Sequence, residues 1–213
     1  MKKLLKYILG FVILFLIAYN SIYFKKLDEV KAAATKEFDA KSYARKYFDT
    51  KLIPALRNAQ EIDQLLAILQ ADKENTFNKY SHALGIGNLR FFLIKGEGEI
   101  TAINENDVTI LSKKDTTQHV YKIATEFVYG NAIRDASGQI DINEFNNTAD
   151  FNNVSAEINK IVRSEVLPPF KSGAKNGDVV RFFGAVELNK EHLNVENIEI
   201  IPVQLIIQPE IRI

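Results

Sequence analysis

RFFLIKGEGEITAI, residues 90–103, is the stretch on which the fold turns. Aromatic and β-branched residues fill it without helical spacing, so it reads as a strand. Gly96 and Gly98 interrupt it, and glycines inside a strand mark a bulge or tight curvature. Downstream, NEND is a turn, VTILS a second strand and residues 118–129 a third. Residues 178–188 and 193–207 close the chain as two more strands around a turn near Asn189 and Lys190.

Helical spacing brackets these strands. Asp39 can cap a helix that puts Tyr43, Tyr47 and Phe48 on one face. Pro54 suits the first turn of a continuing segment. Ile62, Leu65, Leu66 and Leu69 define a second helix, and residues 72–90 a partly helical loop. Val154, Ile158, Ile161, Val162 and Val166 form the stripe of a helix over 153–166, which Pro168 and Pro169 should stop. Helices, strands, a helix and strands again spell an α+β domain with a mainly antiparallel sheet. A curved OB-like barrel plugged by the 153–166 helix fits this order; an open sheet with helices on one face fits nearly as well.

The chain opens with MKKLLKYILGFVILFLIAYNSIYFKK. Residues 7–24 are 18 positions without a charge, bracketed by lysines. That run is about 27 Å long as a helix, and Leu4 and Leu5 extend it toward a ~30 Å hydrocarbon core. Small residues of a cleavage site are missing after the run, so an uncleaved anchor is expected, with the lipid bilayer as partner of residues 4–24. The expected layout is an anchor over 1–25, a charged helical spacer over 26–37 and an α+β domain over 38–213. The short basic head favours a single pass through the inner membrane with the bulk outside the cytoplasm.

The 213 residues carry 27 basic and 27 acidic side chains. A nucleic-acid partner usually demands a basic excess, so none is expected. An OB face reading single strands would also need exposed aromatics, here Phe91, Phe92, Phe182 and Phe183. Cysteine is absent, which removes disulfides, thiolate metal sites and a cysteine nucleophile. His82, His119 and His192 stand alone, so no metal is expected, and no motif calls for a cofactor. Glu97 and Glu99 share one strand face, but the glycines of KGEGE lack the strand-to-helix context of a dinucleotide loop.

The most distinctive segment is YGNAIRDASGQIDINEFNN, residues 129–147. Gly138 and Glu144 imitate positions six and twelve of a calcium loop, yet Ile133 stands where the first carboxylate belongs and the preceding residues read as strand. A glycine turn with hydrogen bonds from Asp135, Ser137 and Asp141 is the better reading. Arg134, Asp135, Asp141 and Glu144 are the candidate binding residues, with Arg134 and Asp135 open also to a structural ion pair. Gly130, Gly138 and Phe145 are motif positions, and no residue is assigned a catalytic role.

The runs FDAKSYARKYFDTKLIPAL, KGEGEI, GNAIRDASGQIDINEF with NNVSAEIN, and GDVVRFFGAVEL with IIPVQL resemble the bacterial domain-of-unknown-function family 2291. The resemblance covers roughly residues 5–207. It implies a periplasmic lipoprotein-like module without assigned activity, some members of which are encoded near sugar uptake systems. It also implies Gly130, Arg134, Asp135 and Phe145 as motif positions. This chain departs from the lipoprotein pattern in lacking cysteine, so a peptide helix is the expected anchor. The functional expectation is an extracytoplasmic binding or accessory module that takes a small solute such as a sugar and serves a transporter or envelope protein. A carboxylate-dependent glycan enzyme built on Asp135, Asp141 or Glu144 is the alternative.

Overall fold

The computed structural model describes residues 2–21, 38–112 and 118–208. The expected spacer over 26–37 lies outside them. Two units separate, Met1–Phe38 and Asp39–Ile213. In the first, α1 (Lys2–Ser21) is one helix of 20 residues. Among the described residues no helix is long and apolar enough to cross a membrane, so the structure does not establish the expected span.

The second unit begins at the expected cap. Asp39 Oδ1 accepts from the Ser42 backbone N–H at 2.9 Å and starts α2 (Ala40–Tyr47). A wide turn over Phe48–Leu52 carries the chain through Ile53–Ala55 to a tighter turn at Leu56–Asn58, so Pro54 sits in a first turn, where its missing N–H costs nothing. Then follow β1 (Gln60–Glu61), α3 (Ile62–Ala71), α4 (Lys73–Tyr80) and β2 (Ser81–His82). The long β3 (Leu89–Ile103), β4 (Asp107–Ser112) and β5 (His119–Ala124) precede α5 (Ala132–Ala136), α6 (Thr148–Ile161) and α7 (Leu167–Gly173). The chain returns through β6 (Val179–Asn189) and β7 (Ile198–Ile207).

The strands run β3-β4-β5-β7-β6, and β6 pairs back onto β3 along its length, from Leu89 opposite Asn189 to Glu99 opposite Val179. The barrel is therefore closed. Its pairings are antiparallel except β5 with β7, which is parallel. Five strands in this order, with helix between the third and fourth, make an OB barrel. The strand glycines mark close approaches. A Cβ on Gly184 would sit 2.5 Å from the Ile201 carbonyl oxygen, where the register of β6 with β7 shifts, and one on Gly98 would sit 2.8 Å from the Leu111 carbonyl oxygen.

Two layers are buried. Phe92, Ile94, Ile110, Ile123, Phe182 and Ile200 fill the barrel. Phe91 and Leu93 alternate with them on the outer face of β3, yet are buried as well. The reason is a second layer, in which α5 packs on the outside of β3 and β6 while α6 packs on α2 and α5.

Three sequence expectations change. The third strand ends at Ala124 rather than 129. The residues before Gly138 form α5, where strand was expected. The 153–166 helix begins earlier, at Thr148, capped by Asn147, and the prolines do not stop it. A wide turn over Val162–Val166 re-phases the backbone, and Pro168 and Pro169 enter the first turn of α7. The barrel core consequently takes Phe170 of α7, whereas Val154 and Ile158 belong to the outer layer.

Candidate functional site

The segment singled out by its sequence is turned inward. In α5, Arg134 and Asp135 have side chains 4% and 0% exposed and meet at 2.6 Å. Arg134 lies 3.5 Å above the Phe151 ring and donates to the Phe151 carbonyl at 3.3 Å. The second Asp135 oxygen accepts from Asn131 Nδ2 at 3.1 Å. Asn159 of α6 donates to the Gly130 carbonyl at 2.7 Å. From α2, Tyr47 donates to the Arg134 carbonyl at 3.1 Å and bonds the Ser137 hydroxyl. The charges thus face internal partners, and the segment fastens α2 and α6 together across the outside of the barrel.

Asp141 and Glu144 stay at the surface. Asp141 accepts from the Asn143 backbone N–H at 2.9 Å. Glu144 accepts from Tyr43 at 2.5 Å and pairs with Lys51 at 3.5 Å. Phe145 sits edge-on between Tyr43 and Phe151, with centroids 5.2 and 5.1 Å away. Gly130 and Gly138 have φ of +78° and +62°, and a side chain at Gly138 would collide with the His82 ring. Asp135 is thus buried against Arg134 while Asp141 and Glu144 lie at the surface beside Tyr43, so the three carboxyls do not form one group. Among the described residues no acid and histidine group could hold a metal ion.

This packing has a titration signature. Burial pushes the Tyr47 hydroxyl up to about 12. Tyr43 is raised by burial and then by its bond to Glu144; Tyr121 by burial and then by its bond to Asp63. Each folded value lies above the unfolded one near 10. The unfolded chain therefore ionises first, and stability that is whole below about pH 10 drains away as pH climbs through the folded values. For Tyr47 the loss is about 1.4 kcal/mol per pH unit between ~10 and ~12. Urea midpoints measured from pH 8 to 11.5 should fall, and Tyr47→Phe should flatten part of the slope. An unchanged midpoint over that range contradicts the burial of these hydroxyls.

A concavity lies elsewhere, in a groove of about 890 Å³ on the outer surface of the barrel. Its floor is the KGEGE run of β3. With Gly96 and Gly98 facing inward, Lys95, Glu97 and Glu99 stand outward in a row. On β6, Arg181 lies opposite Glu97, with its guanidinium 3.4 Å from the carboxylate and both side chains about half exposed. Phe183 is opposite Lys95 and next to Gln204 of β7. Ile53, Leu56 and Arg57, after α2, form a wall, and Glu61 closes one end where β1 pairs with β3. Among the described residues, three cations and three carboxylates thus line the groove beside the apolar Ile53, Leu56 and Phe183.

Sequence reading noticed the KGEGE glycines and the shared face of Glu97 and Glu99, but missed Arg57, Lys95 and Arg181. A legible signal existed in the K-x-E-x-E alternation on one face of a curved strand. The aromatics proposed for base stacking are not available as a set, since Phe91, Phe92 and Phe182 are buried.

No curated protein matches the chain. Among solved structures it is similar to the crystal structure of an OB-fold protein from Thermotoga maritima MSB8, at 29% identity and a TM-score of 0.70. That match covers 80% of this chain and 99% of the other. The sequence profile of the predicted periplasmic lipoproteins DUF2291 matches residues 12–206. With the barrel, its helical cover and that match in agreement, the chain belongs to this family of predicted periplasmic lipoproteins.

Proposed function

We propose that the chain is an extracytoplasmic binding module, tethered by α1, whose barrel groove takes a small polar solute on behalf of a transporter or another envelope protein. The groove carries this reading: a concavity large enough for a sugar- or peptide-sized molecule, with an apolar wall and polar groups of both signs on a rigid strand. The family description supports the compartment. The tether is argued from the sequence of α1, Lys2–Ser21. Residues 7–21 hold no charge. Phe11, Leu14 and Ile17 are exposed on it, and Tyr7 and Tyr19 lie toward its ends, where rings favour a lipid interface.

The test is a thermal-shift panel on the full-length protein in nanodiscs, using pentoses, hexoses, polyols, amino acids and short peptides. At least one class should raise the melting temperature in a dose-dependent way, as ligand linkage requires. A panel in which no class does so overturns the binding role. An alkaline carbonate wash that releases the chain from membranes would overturn the tether.

A further inference from the structure

We infer that the groove is an anion site, in which Lys95 and Arg57 together hold the carboxylate or phosphate group of a small solute; this rests on the binding role proposed above and names its ligand class. The carboxylates of the groove are already engaged. Glu97 meets Arg181 at 3.4 Å, and Glu61 and Glu99 have interactions of their own. The cations are not matched in the same way. Among the described residues, Lys95 has no carboxylate at ion-pair distance. Arg57 donates from Nε to the Pro54 carbonyl at 3.3 Å, a bond that leaves its charge uncompensated. The charge still available in the groove is therefore positive, although the chain as a whole carries 27 side chains of each sign.

Placement makes the two cations one site. The turn Leu56–Asn58, which carries Arg57, packs against β3. Two residues later the chain pairs in register with Ile94 and Lys95. Both side chains line the same concavity. Lys95 is half-buried on its strand, and a cation that gives up water without a counter-ion is held at a cost that an anion removes. An ammonium supplies a point charge and a guanidinium a planar fork of donors, which together suit the oxygens of a carboxylate or phosphate. The Glu97–Arg181 pair stays closed, and its outer lone pairs and N–H groups meet hydroxyl or amide groups on the body of the solute. Ile53, Leu56 and Phe183 lie along its apolar face.

Calorimetric titration of the full-length protein in nanodiscs of zwitterionic lipid tests this with two matched sets. One is glucose, glucuronate and glucose 6-phosphate; the other is N-acetyl-leucine amide and N-acetyl-leucine. In at least one set the anion should bind at least about tenfold tighter than its neutral counterpart, since it adds charge-assisted contacts. Glucuronate against glucose 6-phosphate separates carboxylate from phosphate. Lys95→Gln and Arg57→Gln should each bring the anion to within about threefold of the neutral compound and leave the neutral compound unchanged. Lys95→Arg, which keeps the charge, should hold the anion within about threefold of the unaltered protein. Neutral compounds that bind as tightly as their anions overturn the inference and leave the groove's binding role standing. Anion binding undiminished in Lys95→Gln overturns it as well. Silence from all five compounds overturns the anion site, and the wider solute panel above then decides the binding role.

Discussion

Asp135→Ala should cost the barrel domain about 3–5 kcal/mol of unfolding free energy, the usual consequence of removing one partner of a buried charge pair. The Arg134 side chain is 4% exposed and loses the carboxylate paired with it at 2.6 Å. Its stacking on Phe151 and its bond to the Phe151 carbonyl do not neutralise it. Asn131 Nδ2 loses its acceptor at the same time. Urea unfolding of the full-length protein in micelles, followed by tyrosine fluorescence, reads the loss directly. Adding Arg134→Met to Asp135→Ala should recover part of the stability, because an apolar chain of similar length needs no counter-charge. A single-variant loss below about 1 kcal/mol would mean that α5 is not fastened by this pair.

The second large effect is expected at Gly184. Overpacking a core usually costs about 1–3 kcal/mol, and that figure assumes neighbours that can yield. A Cβ here lies 2.5 Å from the Ile201 backbone oxygen and 2.9 Å from Ile200 Cγ2. Backbone in a closed barrel cannot swing aside, so Gly184→Val should exceed ~3 kcal/mol or prevent folding. Gly85→Ala is the control. Nothing lies within 4 Å of a Cβ at that position, and its effect should stay within about 0.5 kcal/mol. If both substitutions behave alike, the closed strand pairing around Gly184 is wrong.

The barrel was legible because its signals are local and repeated. Alternation along residues 90–103 and 178–188, broken by Gly96, Gly98 and Gly184, encodes curved strands whichever neighbours they find. Closure was not legible, since it depends on pairing Leu89 with Asn189 across a hundred residues of intervening chain. The prolines misled for a related reason. Pro168 and Pro169 end a helix only if the backbone keeps its phase, and the wide turn over Val162–Val166 changes that phase first.

The site was half legible. IRDASG was distinctive, and distinctive charged residues in a loop invite a binding role. Which way Arg134 points is decided by Phe151 and Tyr47, which lie far along the chain and cover it. The converse holds for the groove. Glu97 and Glu99 were visible, but Arg57 and Arg181 reach the same surface only through the turn after α2 and the register of β6 on β3. Balanced composition could not show that three cations and three carboxylates gather on one surface.

Binding at the groove rather than at the distinctive loop is decided by one measurement. The solute panel is repeated on two variants of the full-length protein, Glu97→Gln with Arg181→Gln in the groove, and Asp141→Asn with Glu144→Gln on the distinctive loop. Thermal shifts seen with the unaltered protein should vanish in the groove variant and persist in the loop variant. Shifts that survive in the first and disappear in the second would contradict it.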